Sequence, residues 1–447
     1  MKEQNKMGVM PMNQLVWSIS FPLMISMLVQ SLYNIVDGIF VARISEDALT
    51  ATSLAYPVQM LMIAVSVGTG VGINALLSQT LGRGDLSKVS KTAANGLFAA
   101  VCGSVIFIVL GITAVPAFLG AYTDDAGILR DGISYLRICM IFSTGIFIAT
   151  TGERCLQATG KTWLSMIAQS IGAVCNIILD PILIFGLCGM PRMGVTGAAV
   201  ATVIGQWAAA VMSLWLNKTR NHEVVIRLKG FSVDTAILKD IYRVGLPTMV
   251  TQGIGSIMVV GLNRILYLFS STAVAFFGVY YKLQNFLYMP INGLAQGLIP
   301  IVGYNYGRKN MDRVTGALKI ALQGAVALMV CGTAIFCLFP GQLLALFDAG
   351  SKMLEIGIPA LRIISVVFTL TGITVTIGYY FSGLGNGLVN MVSSLIRQLV
   401  LLMPLAYLFG NRLGLGATWY AFWISEAAAC IFAVWSCLRK NRELKKA

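Results

Sequence analysis

An aspartate interrupts a long apolar run near the start of the chain. Asp37 lies in "SLYNIVDGIFVAR", residues 31–43, within a segment long enough to cross a membrane. A charged group at bilayer depth costs roughly 2.5 to 3.5 kcal/mol on insertion scales, so such residues usually face a cavity and serve a function. Asp37 is therefore a candidate for binding an ion or a proton inside a membrane.

Other oxygen-bearing side chains are predicted at a similar depth. Counting about 1.5 Å per residue from the outer end of each helix places Asp37, Asp180 and Thr202 roughly 9 to 12 Å deep, and Asn176 about 16 Å deep. Asn176 and Asp180 share a helix face, as do Thr202 and Gln206. Two carboxylates in a dry pocket repel each other, so one should take up a proton. The same oxygens could ligate Na⁺, although two negative charges facing one Na⁺ favour H⁺, and both ions stay open.

Polar, aromatic and methionine side chains near these positions could contact a substrate. Gln30, Tyr33 and Asn34 form a polar stripe with Asp37 on one helix. Aromatic rings attract cations, and methionine adapts to irregular apolar shapes. We predict a substrate cavity lined by Gln30, Tyr33, Asn34, Tyr56, Met60, Gln206 and Tyr281, with Phe276, Phe277, Tyr280 and Met289 as further candidates. Taken singly, each of these aromatic and methionine residues is more often part of the core of a helix bundle.

Three glycine-rich motifs resemble nucleotide-binding loops without meeting their requirements. "ATGKT" has Cys155 where a phosphate-binding loop needs a glycine, five positions before its GK pair. "GTGVG" and "GLGNG" lack the glycine spacing of a dinucleotide site, and no strand precedes them. They indicate close helix packing and a tight turn instead.

The sequence also shows no spacing of acidic, cysteine or histidine residues that is typical of a metal site or of covalent catalysis. Asp124 and Asp125 have no DxxD partner, which argues against a membrane prenyltransferase. The nine cysteines show no CxxC spacing, and the only histidine, His222, lies in a loop. We therefore predict neither an enzyme nor a resident cofactor.

The elements that must position these residues are membrane helices. Of the 447 residues, 57% are hydrophobic and 11% are charged, unlike a water-soluble globule of this size. The alternation typical of a β-barrel is missing, so helices are the expected spanning elements. Twelve apolar runs are long enough: 15–42, 49–80, 93–118, 133–157, 163–187, 195–217, 246–269, 273–304, 314–339, 357–382, 388–410 and 414–438.

Positive charge alternates between the predicted loops. The net charge of +14 could indicate a nucleic-acid partner. With the N-terminus inside, however, 21 of the 32 lysines and arginines fall at the termini and in inner segments, and only seven at outer ends and loops. This bias is the signal of membrane topology, and it predicts a multi-pass protein of the cytoplasmic membrane with both termini in the cytoplasm.

The second half of the chain repeats the first. Adding 225 to the numbering places Pro22 on Pro247, Gln59 on Gln284 and "LGRGD" on "YGRKN". Six spans return the chain to its starting side, so the halves should be parallel repeats with a central cavity between them. We predict an N-terminal lobe over residues 1–216, a cytoplasmic linker over 217–243 and a C-terminal lobe over 244–447.

The second half lacks matching carboxylates. Leu262 replaces Asp37, and Met403 or Leu405 stands near the position that matches Asp180. The charged residues within the later spans are Arg264, Lys282, Arg397 and Glu426. By depth, Glu426 is expected to approach Arg264 or Lys282 in a structural ion pair.

Several segments, taken in order, resemble a known family over nearly the whole chain. They are "FPLMISMLVQSLYNIVDGIFVAR", "LSQTLGRGD", "LQATGKT", "NIILDPILIFG", "MGVTGAAVATVIGQ" and "IPIVGYNYGRKN". Together they resemble the multidrug and toxic compound extrusion (MATE) family, most of all its bacterial DinF-like branch. The resemblance implies an all-α, V-shaped fold of twelve transmembrane helices.

The resemblance also implies roles for particular residues. Asp37, Asn176, Asp180 and Thr202 match the family's cation-coupling cluster, which would bind H⁺ or Na⁺. Gln30, Tyr33 and Met60 match drug-cavity positions, and Pro22 matches a proline where the first helix bends. The acids that another branch carries in helices 7 and 10 have no counterpart here.

We therefore expect a monomeric secondary antiporter that exports amphipathic, cationic compounds in exchange for H⁺ or Na⁺, with no nucleic-acid partner. The alternative is a lipid-linked oligosaccharide flippase of the wider superfamily. Such a flippase should carry several arginines facing the cavity, and only Arg264 and Arg397, with Lys282, suggest it. A membrane-embedded transferase would need a metal or catalytic pair, and the sequence shows neither.

Overall fold

Long helices account for most of the chain. The computed structural model describes residues 5–226, 231–347 and 349–446. Within these residues, ten helices are long and apolar enough to cross a membrane, and two bent helix pairs bring the number of spans to twelve. The predicted all-α membrane fold is confirmed. Helices are expected because the hydrocarbon of a bilayer offers no hydrogen-bond partners, so each segment must satisfy its own backbone groups.

The spans are numbered here in chain order. The N-terminal six are α1 (Met12–Ala42), α2 (Glu46–Arg83), α3 (Leu86–Thr113), α4 (Ala126–Ile141 and Thr144–Ala158), α5 (Thr162–Phe185) and α6 (Val195–Arg220). The C-terminal six are α7 (Thr235–Tyr267), α8 (Ser271–Gly307), α9 (Met311–Leu338), α10 (Ser351–Ser365 and Phe368–Gly383), α11 (Leu388–Leu413) and α12 (Ala421–Lys446). Short helices at Lys6–Val9, Val115–Gly120, Pro340–Ala345 and Leu415–Thr418 flank them.

The predicted linker is only partly described. The helix α6 ends at Arg220 and α7 begins at Thr235, so both enter the range assigned to the linker from sequence. Residues 227–230 lie outside the described residues. The boundaries of the two lobes and the linker remain a prediction.

The same local signals begin equivalent helices in the two halves. The side chain of Ser45 caps α2 and that of Ser270 caps α8, each accepting a hydrogen bond from a backbone N–H in the first turn. Asp85 and Asn310 cap α3 and α9 in the same way. The spans α4 and α10 bend by 44° and 49° at equivalent breaks. The repeat seen in the sequence is therefore a repeat of structure.

The central helices of each lobe are buried on every face over one half of their length. Residues 68–81 of α2 and 293–305 of α8 are all buried, whereas exposed side chains recur in residues 46–61 and 271–286 of the same helices. The buried halves lie toward the end of the bundle that carries both described chain ends, called here the terminal end. The lobes thus pack together at the terminal end and separate toward the opposite, far end, which gives the V shape.

Glycines allow this close contact between the lobes. A Cβ added at Gly72 would collide with the backbone carbonyl of Ile241 on α7, and one at Gly82 would collide with that of Tyr304 on α8. Small residues let helix backbones approach each other in this way. The glycines of "GTGVG" are therefore packing residues, as predicted.

Buried polar side chains also join the lobes near the terminal end. Arg154 of α4 donates through Nη1 to Gln157 Oε1 at 2.8 Å and across the interface to Gln296 Oε1 at 2.7 Å. Gln79 of α2 donates to the carbonyl oxygen of Gly383 at 2.9 Å. These contacts were not predicted from the sequence. The two that cross between the lobes, Arg154 with Gln296 and Gln79 with Gly383, must break if the lobes separate at this end.

The start of the described chain bridges the same end. Met7 is fully buried, and its carbonyl oxygen accepts hydrogen bonds from Asn305 and Arg313, both at 3.0 Å. Asn5 donates to the Glu223 carboxylate at 3.0 Å. Burial, together with nearby Lys161, lowers the pKa of Lys6. The segment therefore binds both lobes outside the membrane spans.

Candidate ion-binding cluster and cleft

The core of the candidate site is formed by α5 and α6. Asn176 and Asp180 are one helical turn apart on α5 and are almost fully buried against Thr202 of α6. In the amide orientation that satisfies both groups, Asn176 Nδ2 donates to Asp180 Oδ2 at 3.1 Å. Its Oδ1 then accepts from the Thr202 backbone N–H, also at 3.1 Å. The close approach of the helices is possible because Gly172 and Gly205 face each other.

Asp37 completes this group from α1. Its carboxyl group lies within hydrogen-bonding range of that of Asp180, and its side chain is partly buried. Asp37 Oδ1 has no hydrogen-bond partner among the described residues. The structure thus brings together all four side chains that the depth count selected, which we call the acidic cluster: Asp37, Asn176, Asp180 and Thr202.

The two carboxyl groups limit what the cluster can hold. Two carboxyl groups this close repel each other when both are ionised. The pair must therefore hold either a shared proton or a cation. Asn176 turns its N–H group toward Asp180 and uses its oxygen for a backbone N–H, so it presents a donor to the acids. An N–H donor stabilises a carboxyl pair that shares one proton, because it hydrogen-bonds to the negative charge that remains. A Na⁺ ion would instead be bound by the amide oxygen of Asn176.

A second group of polar side chains lies near Asp37, and Gln59, Tyr135 and Cys139 were not among the predicted site residues. Gln59 of α2 donates to Tyr135 Oη at 3.2 Å and to Cys139 Sγ at 3.6 Å, both on α4. Tyr33 and Tyr135 lie close enough to Asp37 to interact with its charge. The repeat held a signal, since Gln59 matches Gln284 and Tyr135 lies in the repeated segment "GISYLRI".

The predicted substrate residues are more dispersed than the acidic cluster. Gln30 accepts a hydrogen bond from Gln169 at 3.2 Å, while the buried Oε1 of Gln206 has no partner among the described residues. Asn34 and Tyr56 are exposed, and Tyr33, Met60 and Tyr281 are partly buried. Tyr56 of the N-terminal lobe lies within electrostatic range of Tyr281 of the C-terminal lobe. The two side chains therefore lie in the same region of the cleft, one from each lobe.

Three of the further aromatic candidates are core residues. Phe276, Phe277 and Tyr280 are at most 1% exposed, so they do not line an open cavity. They face α12 and its preceding turn, where Phe276 packs against Trp419 with ring centroids 5.3 Å apart. They take the core position that the sequence left open as the alternative, because residues of one helix alternate between the lobe core and the cleft.

The predicted partner of Glu426 was wrong. Glu426 Oε1 pairs with Arg397 Nη1 at 3.4 Å, while Arg264 and Lys282 are exposed. Residues Ile396–Leu402 of α11 form a π-helical segment, which changes the direction in which its side chains point. The C-terminal lobe therefore carries a zwitterionic pair where the N-terminal lobe carries two acids.

Both halves of the chain match one family of known proteins. The family model MatE matches residues 22–182 and again residues 247–408. The chain belongs to the MATE family. The two matches begin 225 residues apart, the offset of the sequence repeat. As a MATE protein, the chain is a multi-pass membrane transporter and not an enzyme.

Curated relatives and solved structures are similar to this chain over nearly its whole length. The multidrug export protein MepA of Staphylococcus aureus (strain MRSA252) is 25% identical over 435 residues, covering 95% of this chain and 93% of MepA. A multidrug resistance MATE family transporter solved in an outward-facing conformation has a TM-score of 0.93 and 28% identity, covering 100% of this chain and 99% of that one. A MOP superfamily transporter from Pyrococcus furiosus, described as having a binding pocket of reverse polarity, has a TM-score of 0.92 at 28% identity, with the same coverage.

Proposed function

We propose that this MATE protein is a secondary antiporter that exports amphipathic, cationic compounds in exchange for an ion bound at the acidic cluster. The observation that carries the proposal is that the partly buried Asp37 carboxyl group lies within hydrogen-bonding range of the buried Asp180 carboxyl group. Two acids without a basic partner are expensive inside a membrane and suit a group that gains and loses a positive ion. The relatives named as multidrug exporters support the class of substrate.

We propose H⁺ as the coupling ion, with Na⁺ as the alternative. The Asn176 N–H that faces Asp180 supports proton sharing. Exchange of one proton for one monovalent cation moves no net charge, so it is driven by the pH gradient alone. A second proton per cycle would move one net charge and add about 2.3 kcal/mol at a membrane potential of 100 mV. We further propose that the terminal end faces the cytoplasm, because the positive charge is concentrated there. The cleft described here then opens to the outside.

Binding of the ion and the substrate would be mutually exclusive. An ionised Asp37 attracts a cationic compound, and protonation removes that attraction. Tyr33 lies beside Asp37, and Tyr56 and Tyr281 supply aromatic surface from both lobes. Because linkage is reciprocal, each ligand should weaken the binding of the other.

The test of coupling uses purified protein in proteoliposomes and a fluorescent cationic dye. Dye flux is measured with an imposed pH gradient or an imposed Na⁺ gradient, at clamped voltage. Asp37→Asn, Asp180→Asn and Asn176→Ala should each lower gradient-driven flux at least tenfold while the protein remains folded. Asp124→Asn, the same chemical change at an exposed far-end position, should transport at the wild-type rate. Wild-type flux in Asp180→Asn would contradict the assignment, and transport of a lipid-linked sugar without dye transport would favour a flippase.

A binding measurement tests the exchange itself. In detergent between pH 5 and 8, wild-type affinity for the dye should rise with pH, because deprotonation adds negative charge to the site. Asp37→Asn should bind dye with an affinity that does not depend on pH or Na⁺. An identical pH dependence in both proteins would show that Asp37 is only structural.

A further inference from the structure

Two adjoining hollows lie beside α12 at the terminal end, away from the acidic cluster. The first is a polar cavity of about 540 Å³ between the lobes. The second, called here the apolar groove, is a shallow hollow of about 410 Å³ on α12, where exposed Trp435 and Leu438 lie beside Arg439, Arg442 and Glu443. Trp435, Arg439 and Glu443 line both, so the two hollows share a wall formed by these side chains.

The polar cavity carries an excess of positive charge contributed by both lobes. Its basic residues are Arg83 of α2, Arg243 of α7, and Arg439 and Lys440 of α12, against the acids Asp240 and Glu443. Glu443 is already paired with Arg439 at 3.5 Å and with Lys440 at 3.2 Å. Among the described residues, neither Arg83 nor Arg243 has a carboxylate within 4.0 Å. Two guanidinium groups from opposite lobes are thus available to an anion.

The apolar groove has the character of a lipid-facing surface. Trp435 and Leu438 are 56% and 55% exposed. Arg439 lies over the Trp435 ring with its guanidinium carbon 5.8 Å from the ring centroid, and Arg442 lines the same groove. Tryptophan and arginine in this arrangement are typical of the boundary between acyl chains and headgroups. An acyl chain along Trp435 and Leu438 would place its headgroup at the mouth of the polar cavity.

We propose that these hollows form a binding site for an anionic phospholipid. The phosphate group binds in the polar cavity between Arg83 and Arg243, and one acyl chain lies along Trp435 and Leu438. Basic pockets between helices on the cytoplasmic side of membranes take such headgroups. Charge alone fits free phosphate equally well. The exposed apolar side chains of Trp435 and Leu438 beside the polar cavity are what favour a lipid.

Occupation of this site has a consequence for the lobes. The polar cavity includes Gln79, whose hydrogen bond to Gly383 joins the lobes at the terminal end. A phosphate held by Arg83 of one lobe and Arg243 of the other adds a second bridge across the same contact. The bound lipid therefore stabilises the state that is closed at the terminal end, since a ligand favours the conformation to which it binds better.

Binding can be measured on the whole protein in nanodiscs and in detergent. Thermal unfolding and native mass spectrometry are followed with phosphatidylglycerol, phosphatidylcholine or inorganic phosphate added. Wild type should be stabilised by phosphatidylglycerol and not by phosphatidylcholine. The double variant Arg83→Gln with Arg243→Gln should bind phosphatidylglycerol about tenfold more weakly or worse. Arg243→Gln alone should show an intermediate loss if the double variant folds poorly.

Controls separate this site from general attraction to negative charge. Lys91→Gln with Lys218→Gln removes the same charge from exposed terminal-end positions outside both hollows and should bind phosphatidylglycerol as wild type does. Trp435→Ala should weaken lipid binding without changing phosphate binding. Equal binding of the two lipids by wild type, or equal losses in both double variants, would overturn the proposal. Stabilisation by inorganic phosphate with no added effect of phosphatidylglycerol would show a free anion instead and overturn the lipid assignment. None of these outcomes depends on ion coupling at Asp37.

Discussion

At the scale of single residues, the C-terminal lobe contains a buried pair with incomplete hydrogen bonding. Arg397 and Glu426 share one contact at 3.4 Å, and neither Arg397 Nε nor Glu426 Oε2 has a partner among the described residues. Glu426→Gln should destabilise the protein by about 3 to 5 kcal/mol, because it leaves the arginine charge buried without its counter-ion. Thermal unfolding in detergent measures the loss, and dye transport by the folded fraction should persist.

Two further variants make this prediction specific. Glu443→Gln changes the same residue type at an exposed position of α12 and should leave the unfolding temperature nearly unchanged. Replacing the whole pair, as Arg397→Met with Glu426→Leu, should recover much of the stability lost in Glu426→Gln, because no buried charge remains. A stable Glu426→Gln protein that cannot transport would instead place Glu426 in the transport mechanism.

At this scale, the sequence predicts how deep a side chain lies in the bilayer but not the direction in which it points. Asp37, Asp180 and Thr202 were selected because a fixed rise per residue gives their height in the bilayer, and the structure places them together. Depth does not tell which way a side chain points around its helix. Glu426 was therefore paired with the wrong cation, and Gln59 was not assigned to the surroundings of Asp37.

At the scale of elements, the contact between α2 and α7 depends on the absence of a side chain at Gly72. A methyl group there would collide with the Ile241 backbone carbonyl, which cannot move aside without shifting α7. Gly72→Ala should therefore destabilise the closed terminal end by about 1 to 3 kcal/mol, seen as a lower unfolding temperature and greater labelling of terminal-end cysteines. Gly253→Ala on α7 has open space around the added methyl and should be neutral or slightly stabilising. Equal effects of the two changes would show that the contact is not tight.

The sequence predicts helices better than it predicts how they bend. Apolar length identifies the twelve spans, and Ser45 and Ser270 are recognisable caps at equivalent positions. The breaks within α4 and α10 carry no proline at the junction, and the π-helical segment of α11 follows no simple composition rule. Conversely, α1 passes through Pro22 as one continuous helix, so the proline alone does not determine a break.

At the scale of the whole molecule, the repeat predicts two lobes but not which end of the cleft is open. Each lobe has the same order of helices, so either end could close by a similar packing of α1 and α2 on α7 and α8. In this structure the terminal end is closed, and Arg154 with Gln296 and Gln79 with Gly383 are among the contacts that close it. Such a balance between two packings is what an alternating-access transporter requires.

If the lobes rock as bodies, the two ends of the cleft must change in opposite directions. Spin labels report this after the exposed Cys102, Cys188 and Cys331 are replaced by serine. One label pair, Tyr122→Cys with Leu346→Cys, spans the far end; another, Lys91→Cys with Asp312→Cys, spans the terminal end.

Lowering the pH from 7.5 to 5 should shorten far-end distances and lengthen terminal-end distances, because protonating Asp37 removes the charge that holds a cationic substrate in the open cleft. Asp37→Asn should show the low-pH distances at both pH values, and Asp124→Asn should respond as wild type. Changes of the same sign at both ends, or a full pH response in Asp37→Asn, would contradict rigid-body rocking controlled by this aspartate.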